Sequence, residues 1–95
     1  MQAIWNDKVI ADSDDTVYIE GNQYFPKDSV KIDMLEGSDL ETVCHWKGTA
    51  NYYNIKGGPK NAAWYYADPL PGSVDKVKHE FKDYIAFYPR EVTVK

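Results

Sequence analysis

The stretch CHWKGTANYY, Cys44 to Tyr53, gathers the chain's only cysteine, one of its two histidines, a lysine and three large aromatic side chains around a single glycine. Three roles are open to such a set. A thiolate is the nucleophilic form of cysteine, and Lys47 or a protonated His45 nearby would lower the pKa of Cys44 and activate it. Trp and Tyr carry polar atoms on large rings and so line partly wet clefts; their faces suit planar or cationic groups, while a lysine at the rim suits an anion. The third role is packing alone, the common fate of a lone cysteine among strand aromatics.

Which role applies depends on strand register. With Gly48-Thr49 as a two-residue loop, Gly standing where a type II′ turn wants it, Lys47 pairs with Ala50, Cys44 with Tyr53 and Thr42 with Ile55. A second turn at GGPK, residues 57–60, pairs Tyr53 with Trp64 and Asn51 with Tyr66. One face of this meander then carries Cys44, Trp46, Tyr53, Ile55, Ala62, Trp64 and Tyr66. His45, Lys47, Tyr52 and Tyr65 fall on the other, which separates Cys44 from its activators. A one-residue slip in either turn exchanges the faces. On this register the expected ligand-binding residues are Trp46, Lys47, Tyr53, Trp64 and Tyr66, and the leading reading is a noncatalytic small-molecule-binding module with an aromatic-lined pocket. One alternative is an enzyme with Cys44 as nucleophile, assisted by Lys47 or His45. Another is a protein-interaction module using Tyr52, Tyr65 and a strand edge.

Other chemistries are disfavoured. The formal charge of −4 and pI near 5.0 leave no basic stripe for phosphate contacts, so no nucleic-acid partner is expected. One cysteine excludes an internal disulfide and a multi-cysteine zinc site. A metal held by Cys44, His45 and His79 would need sequence neighbours on opposite faces to converge, so no metal site is expected, and no cofactor either, since 95 residues leave no room for a cofactor domain. The acidic run DSDD, residues 12–15, reads as a solvated turn. The N-terminal segment turns polar after five residues, and no apolar run approaches the roughly 18 residues of a membrane span. The expectation is a cytoplasmic protein with no membrane partner, serving a small molecule of unspecified identity.

The elements that position these residues are mostly extended. Aromatics make up 15% of the chain, with eight Tyr and three Trp, and such side chains pack best on a pleated surface. AIWNDKVIA predicts two strands turning at Asn6-Asp7, and TVYIEGNQYFP two more turning around Gly21-Asn22 and stopped by Pro26. VKIDMLE predicts a strand, broken at Gly37-Ser38-Asp39. SVDKVKHEFKDYI places Val74, Val77, Phe81 and Tyr84 at helical spacing, with Ser73 as N-cap. IAFYP and EVTV return to strand. The predicted fold is mainly β (α+β): a single domain over residues 1–95, a bent antiparallel sheet or open barrel of about seven or eight short strands with one helix near the C-terminus.

The segments YFP, CHWKGTANYY, NAAWYYADPLP and IAFYP, in this order, resemble the small, mainly bacterial domains called domain of unknown function 427. The resemblance spans nearly the whole chain, from Trp5 to the closing EVTV. Its pattern of Cys, a variable residue, an aromatic, Lys and Gly, followed by Ala before aromatics and a later Ala-Ala-Trp, falls on Cys44, Trp46, Lys47, Gly48, Ala50, Tyr52, Tyr53, Ala62, Ala63 and Trp64. Such domains are sometimes labelled nucleotidyltransferase-like. That activity needs acidic residues holding Mg²⁺ and a basic or Gly-rich phosphate cradle, with Gly-Ser at a helix start about ten residues before the acidic pair. Here GSDLE makes Gly37, Ser38, Asp39 and Glu41 contiguous and there is no P-loop, so a polar turn is the expected role.

Overall fold

Asn6 and Asp7 both take left-handed backbone, φ 50° and 61°, the geometry of a two-residue hairpin turn whose twist matches its strands. The computed structural model, which describes residues 1–95, accordingly joins β1 (Gln2–Trp5) to β2 (Lys8–Asp12) with Trp5 opposite Lys8. β3 (Val17–Ile19) and β4 (Asn22–Tyr24) repeat the device, but the turn is Glu20-Gly21, one residue earlier than predicted, and Glu20 adopts φ 50°. VKIDMLE is not one strand. Short 3₁₀ turns occupy Lys27–Ser29 and Ile32–Met34, and β5 (Leu35–Cys44) begins only at Leu35.

β5 then runs through the predicted break by bulging. Gly37 pairs with Tyr53 and Glu41 with Asn51, so three residues stand opposite Tyr52 alone. Ser38 stabilises the bulge: its Oγ accepts from the Leu40 N–H at 3.1 Å and donates to Asn61 Oδ1 at 2.5 Å. β6 (Gly48–Ile55), β7 (Ala63–Tyr66) and β8 (Ile85–Phe87) complete an antiparallel sheet in the order β5-β6-β7-β8, and β9 (Thr93–Val94) adds to β1 in a second sheet, β2-β1-β9. The fold is thus mainly β with one α-helix. Its strands form three antiparallel sheets rather than one bent sheet, and none closes into a barrel.

Both faces of β7 and β8 are largely buried, in keeping with their apolar runs AWYY and IAF, whereas the edge strand β5 is mostly exposed. Leu35, Ile55, Ala63, Ile85 and Phe87 face a first core shared with Ala3, Ile10, Ala11 and Phe25. Ala50, Tyr52, Trp64, Tyr66 and Ala86 face a second, closed by Val17, Ile19 and Tyr24 of the β3–β4 hairpin and by Phe81.

The helix is shorter than its periodicity predicts. α1 covers Pro71–Val77, starting at proline, whose fixed φ suits the first helical position. It stops at Lys78, left-handed at φ 65°, whose N–H bonds the Val74 carbonyl at 2.8 Å. Ser73 lies inside it, buried, and donates from Oγ to the Leu70 carbonyl at 2.6 Å instead of capping. Phe81 therefore reaches the core from irregular backbone.

Gly58 marks a close approach between the two larger sheets. A Cβ there would lie 2.4 Å from Cζ2 of the Trp5 ring, a rigid body that cannot fold away. Gly58→Ala is expected to destabilise by about 1–3 kcal/mol in urea denaturation. Adding Trp5→Val should make the combined loss smaller than the two separate losses together, because the clash disappears with the ring.

Candidate functional site

The hairpin that carries the chemistry-bearing residues has a three-residue loop, His45-Trp46-Lys47, with Cys44 paired to Gly48 and Thr42 to Ala50. This corrects the predicted two-residue loop. Gly48 does hold the left-handed backbone, φ 114°, but as the first residue of β6. The chain after β7 packs directly on it: the Leu70 N–H donates to the Lys47 carbonyl at 3.0 Å, and a Cβ at Gly48 would sit 3.3 Å from the Asp68 carbonyl oxygen.

The next turn produces the one-residue slip. Asn61 is left-handed, φ 56°, and the ladder resumes with Tyr53 opposite Ala63 and Tyr52 opposite Trp64. Tyr52, not Tyr53, therefore neighbours Trp64. Tyr53 moves to the opposite face, packs against the first core with Ile55 and Ala62, and stacks on Tyr65 at 4.9 Å between ring centroids. Tyr52, expected to be exposed for assembly, is buried.

Of the five expected binding residues, Trp64 and Tyr66 lie inside the second core. Trp64 is 8% exposed; its Nε1–H donates to the Tyr24 hydroxyl at 3.0 Å, and Tyr24 meets its ring edge-on at 6.2 Å. Trp46 is half-buried at the margin of this cluster. Lys47 is not a free rim charge: it is buried and ion-paired with Glu20. Its ammonium lies 5.3 Å from the Trp46 ring centroid and 5.4 Å from that of Tyr66, and Lys76 Nζ lies 4.5 Å from the Trp46 ring.

Burial pulls the Lys47 pKa down, but the hydrogen bond to Glu20 and the Tyr24 and Tyr66 phenol groups outweigh it, so Lys47 titrates above its ordinary 10.5. Tyr66, ordinarily near 10, is pushed up to about 12, by burial first and Tyr24 second, with Lys47 offsetting part of the rise. A phenol with a raised folded pKa contributes stability that is lost as pH climbs above its unfolded value. A lysine with a raised folded pKa keeps its contribution below 10.5 and loses it as pH rises through the folded value. Both act in the same direction, so the melting temperature is expected to hold up to about pH 9 and fall above about pH 10. A Tm unchanged to about pH 11.5 would contradict this buried pairing.

Cys44 is half-buried rather than sealed in the core. It packs at the margin of the second core and also lines an open groove of about 520 Å³ between its hairpin and residues 67–70. His45, Thr49, Asn51, Asp68 and Leu70 line the same groove. Cys44 and His45 thus share a cavity although they are adjacent, because strand alternation lapses where the loop begins at His45. No three His, Cys, Asp or Glu side chains converge as a metal site would require. His79 is exposed, with Nδ1 2.6 Å from the Glu80 carbonyl. GSDLE is the bulge of β5, with Asp39 and Glu41 exposed, and does not start a helix. Glu20, Tyr24, Asp68 and Lys76 escaped the sequence reading because each reaches the hairpin only through tertiary folding.

No helix is long and apolar enough to cross a membrane. No curated protein matches the chain with significant similarity. The family model that describes a domain of unknown function (DUF427) matches residues 1–95, the full length. The segments that carried the resemblance form the hairpin over Gly48, the buried Ala62-Ala63-Trp64 run and the buried strand Ile85–Phe87 at the end of the four-stranded sheet, and the chain belongs to the DUF427 family.

Proposed function

We propose that this protein is a noncatalytic small-molecule-binding module whose ligand lies in the groove between the Cys44–Gly48 hairpin and residues 67–70. The observation that carries the reading is the groove itself: about 520 Å³, within the roughly 300–1,000 Å³ of small-molecule sites. Its apolar residues, Val43, Ala67 and Leu70, alternate with the hydrogen-bonding groups of Thr49, Asn51, His45 and Asp68. The buried aromatic cluster acts as a rigid wall behind the hairpin, with Trp64 and Tyr66 setting its position and Trp46 and Lys47 at its margin. Tyr53, on the opposite sheet face, has no part in this arrangement.

Thermal-shift screening against a metabolite panel tests it, since a ligand at about 100 times its dissociation constant stabilises by about 2.7 kcal/mol. Thr49 is exposed on a strand, so Thr49→Trp fills the groove with a side chain that strands accept. The expected result is a panel ligand that raises the Tm of the wild type and leaves that of Thr49→Trp unchanged. A panel without a stabilising compound, or one whose hits stabilise both proteins equally, overturns the groove reading. Cys44 supports the enzyme alternative only if its thiol labels rapidly in native buffer and the labelling is blocked by such a ligand.

A further inference from the structure

We propose that Glu20 occupies a binding site for small organic carboxylates, in which Lys47, walled by Trp46 and Tyr66 and flanked by Lys76, takes a ligand carboxylate in place of the Glu20 side chain. The site lies apart from the groove described above, since none of these residues lines it, and it goes beyond that reading without depending on it.

The two halves of the Lys47–Glu20 pair are unequally placed. The lysine side chain is 9% exposed, whereas that of Glu20 is 54% exposed. The cation is therefore built into the fold and the anion is laid on from outside. Glu20 sits at the tip of the β3–β4 turn, 27 residues from its partner in sequence. Side-chain rotation alone lifts its carboxylate away, with no strand pairing broken. Lys47 would then face the opening with its charge uncompensated inside an aromatic enclosure, where an unpaired charge is expensive. Any small carboxylate that enters recovers the lost interaction.

Lys76 supplies a second attraction. It is exposed on the last turn of α1, its ammonium lies 4.5 Å from the same indole that Lys47 approaches, and no carboxylate pairs with it. Two cations thus lie close to the Trp46 ring, while the one removable acid pairs with Lys47. A permanent clip between hairpins would need only Lys47 and Glu20; the unpaired Lys76 adds positive potential at the point where an incoming anion would arrive.

Propionate tests this directly, because it reproduces the Glu20 side chain from Cβ outward. The indole N–H signals of the three tryptophans are followed by ¹H–¹⁵N NMR during titration, with sodium chloride at equal ionic strength as control. Saturable movement of the Trp46 signal is expected, with that of Trp5 unmoved. Glu20→Gln, which removes the competing charge and keeps the side chain's size, should tighten propionate binding about tenfold, because a tethered competitor acts at an effective concentration in the millimolar range. Lys47→Met should abolish binding, and Lys76→Gln, an exposed change that leaves folding intact, should weaken it about threefold. A Trp46 signal that does not saturate in the wild type, equal affinity in wild type and Glu20→Gln, or an unchanged affinity in Lys76→Gln would each overturn the proposal and leave the pair as a structural clip.

Discussion

Trp64→Ala is expected to lower the unfolding free energy by about 3–5 kcal/mol, a large fraction of the roughly 5–15 kcal/mol available to a small domain. The ring packs against Tyr24, Tyr52 and Tyr88, at centroid distances of 6.2, 6.5 and 4.6 Å, so truncation opens a cavity whose walls are themselves rigid rings. Trp64→Phe keeps most of the packing but removes the N–H that the Tyr24 hydroxyl accepts. It is expected to lose about 1–2 kcal/mol. Urea denaturation checks both, and Tyr24→Phe combined with Trp64→Phe should lose less than the two changes separately, because they break the same bond. A loss below about 1 kcal/mol in Trp64→Ala would mean that the indole faces solvent and that the cluster is a cleft instead of a core.

Gly48→Val should have the second largest effect, about 2–3 kcal/mol, with Gly48→Ala at about 1–2 kcal/mol. Two causes combine. At φ 114° a β-branched side chain meets its own backbone, and the added Cβ presses on the Asp68 carbonyl at 3.3 Å and the Leu70 side chain at 3.6 Å. Because Leu70 is tied to Lys47 through its N–H, the strain falls on one wall of the groove. The measurement is again the denaturation midpoint. An unchanged midpoint in Gly48→Val would contradict the left-handed backbone at this position and the hairpin built on it.

Much of the fold was legible because it is local. Asn6-Asp7 forms a turn because these residues tolerate left-handed φ wherever they stand, and the wealth of Tyr, Trp and Val favours pleated surfaces before any partner strand is known. The segments that mark the family could likewise be read directly from the chain. The helix was half legible. Pro71 marks its start, but Val74, Val77 and Phe81 keep helical spacing beyond the point where Lys78 turns the chain left-handed, since a core can collect apolar residues from irregular backbone as readily as from a helix.

Register could not be read locally. Tyr52-Tyr53 and Trp64-Tyr65-Tyr66 are consecutive aromatics, and alternation reveals which residue faces in only when the other face is polar. With both faces of β6 and β7 against apolar cores, a one-residue slip left the pattern looking equally good, and it moved Tyr53 out of the expected site. The mainly β character, the family and the residues from which a site at the 44–48 hairpin is built could all be read from the chain alone. The placing of Trp64 and Tyr66 in the core, the groove that Cys44 and His45 share with Asp68, and the pairing of Lys47 emerge only in the folded chain. Burial and charge pairing depend on what the fold brings alongside, and Glu20 reaches Lys47 only once both hairpins have packed on the same aromatic cluster.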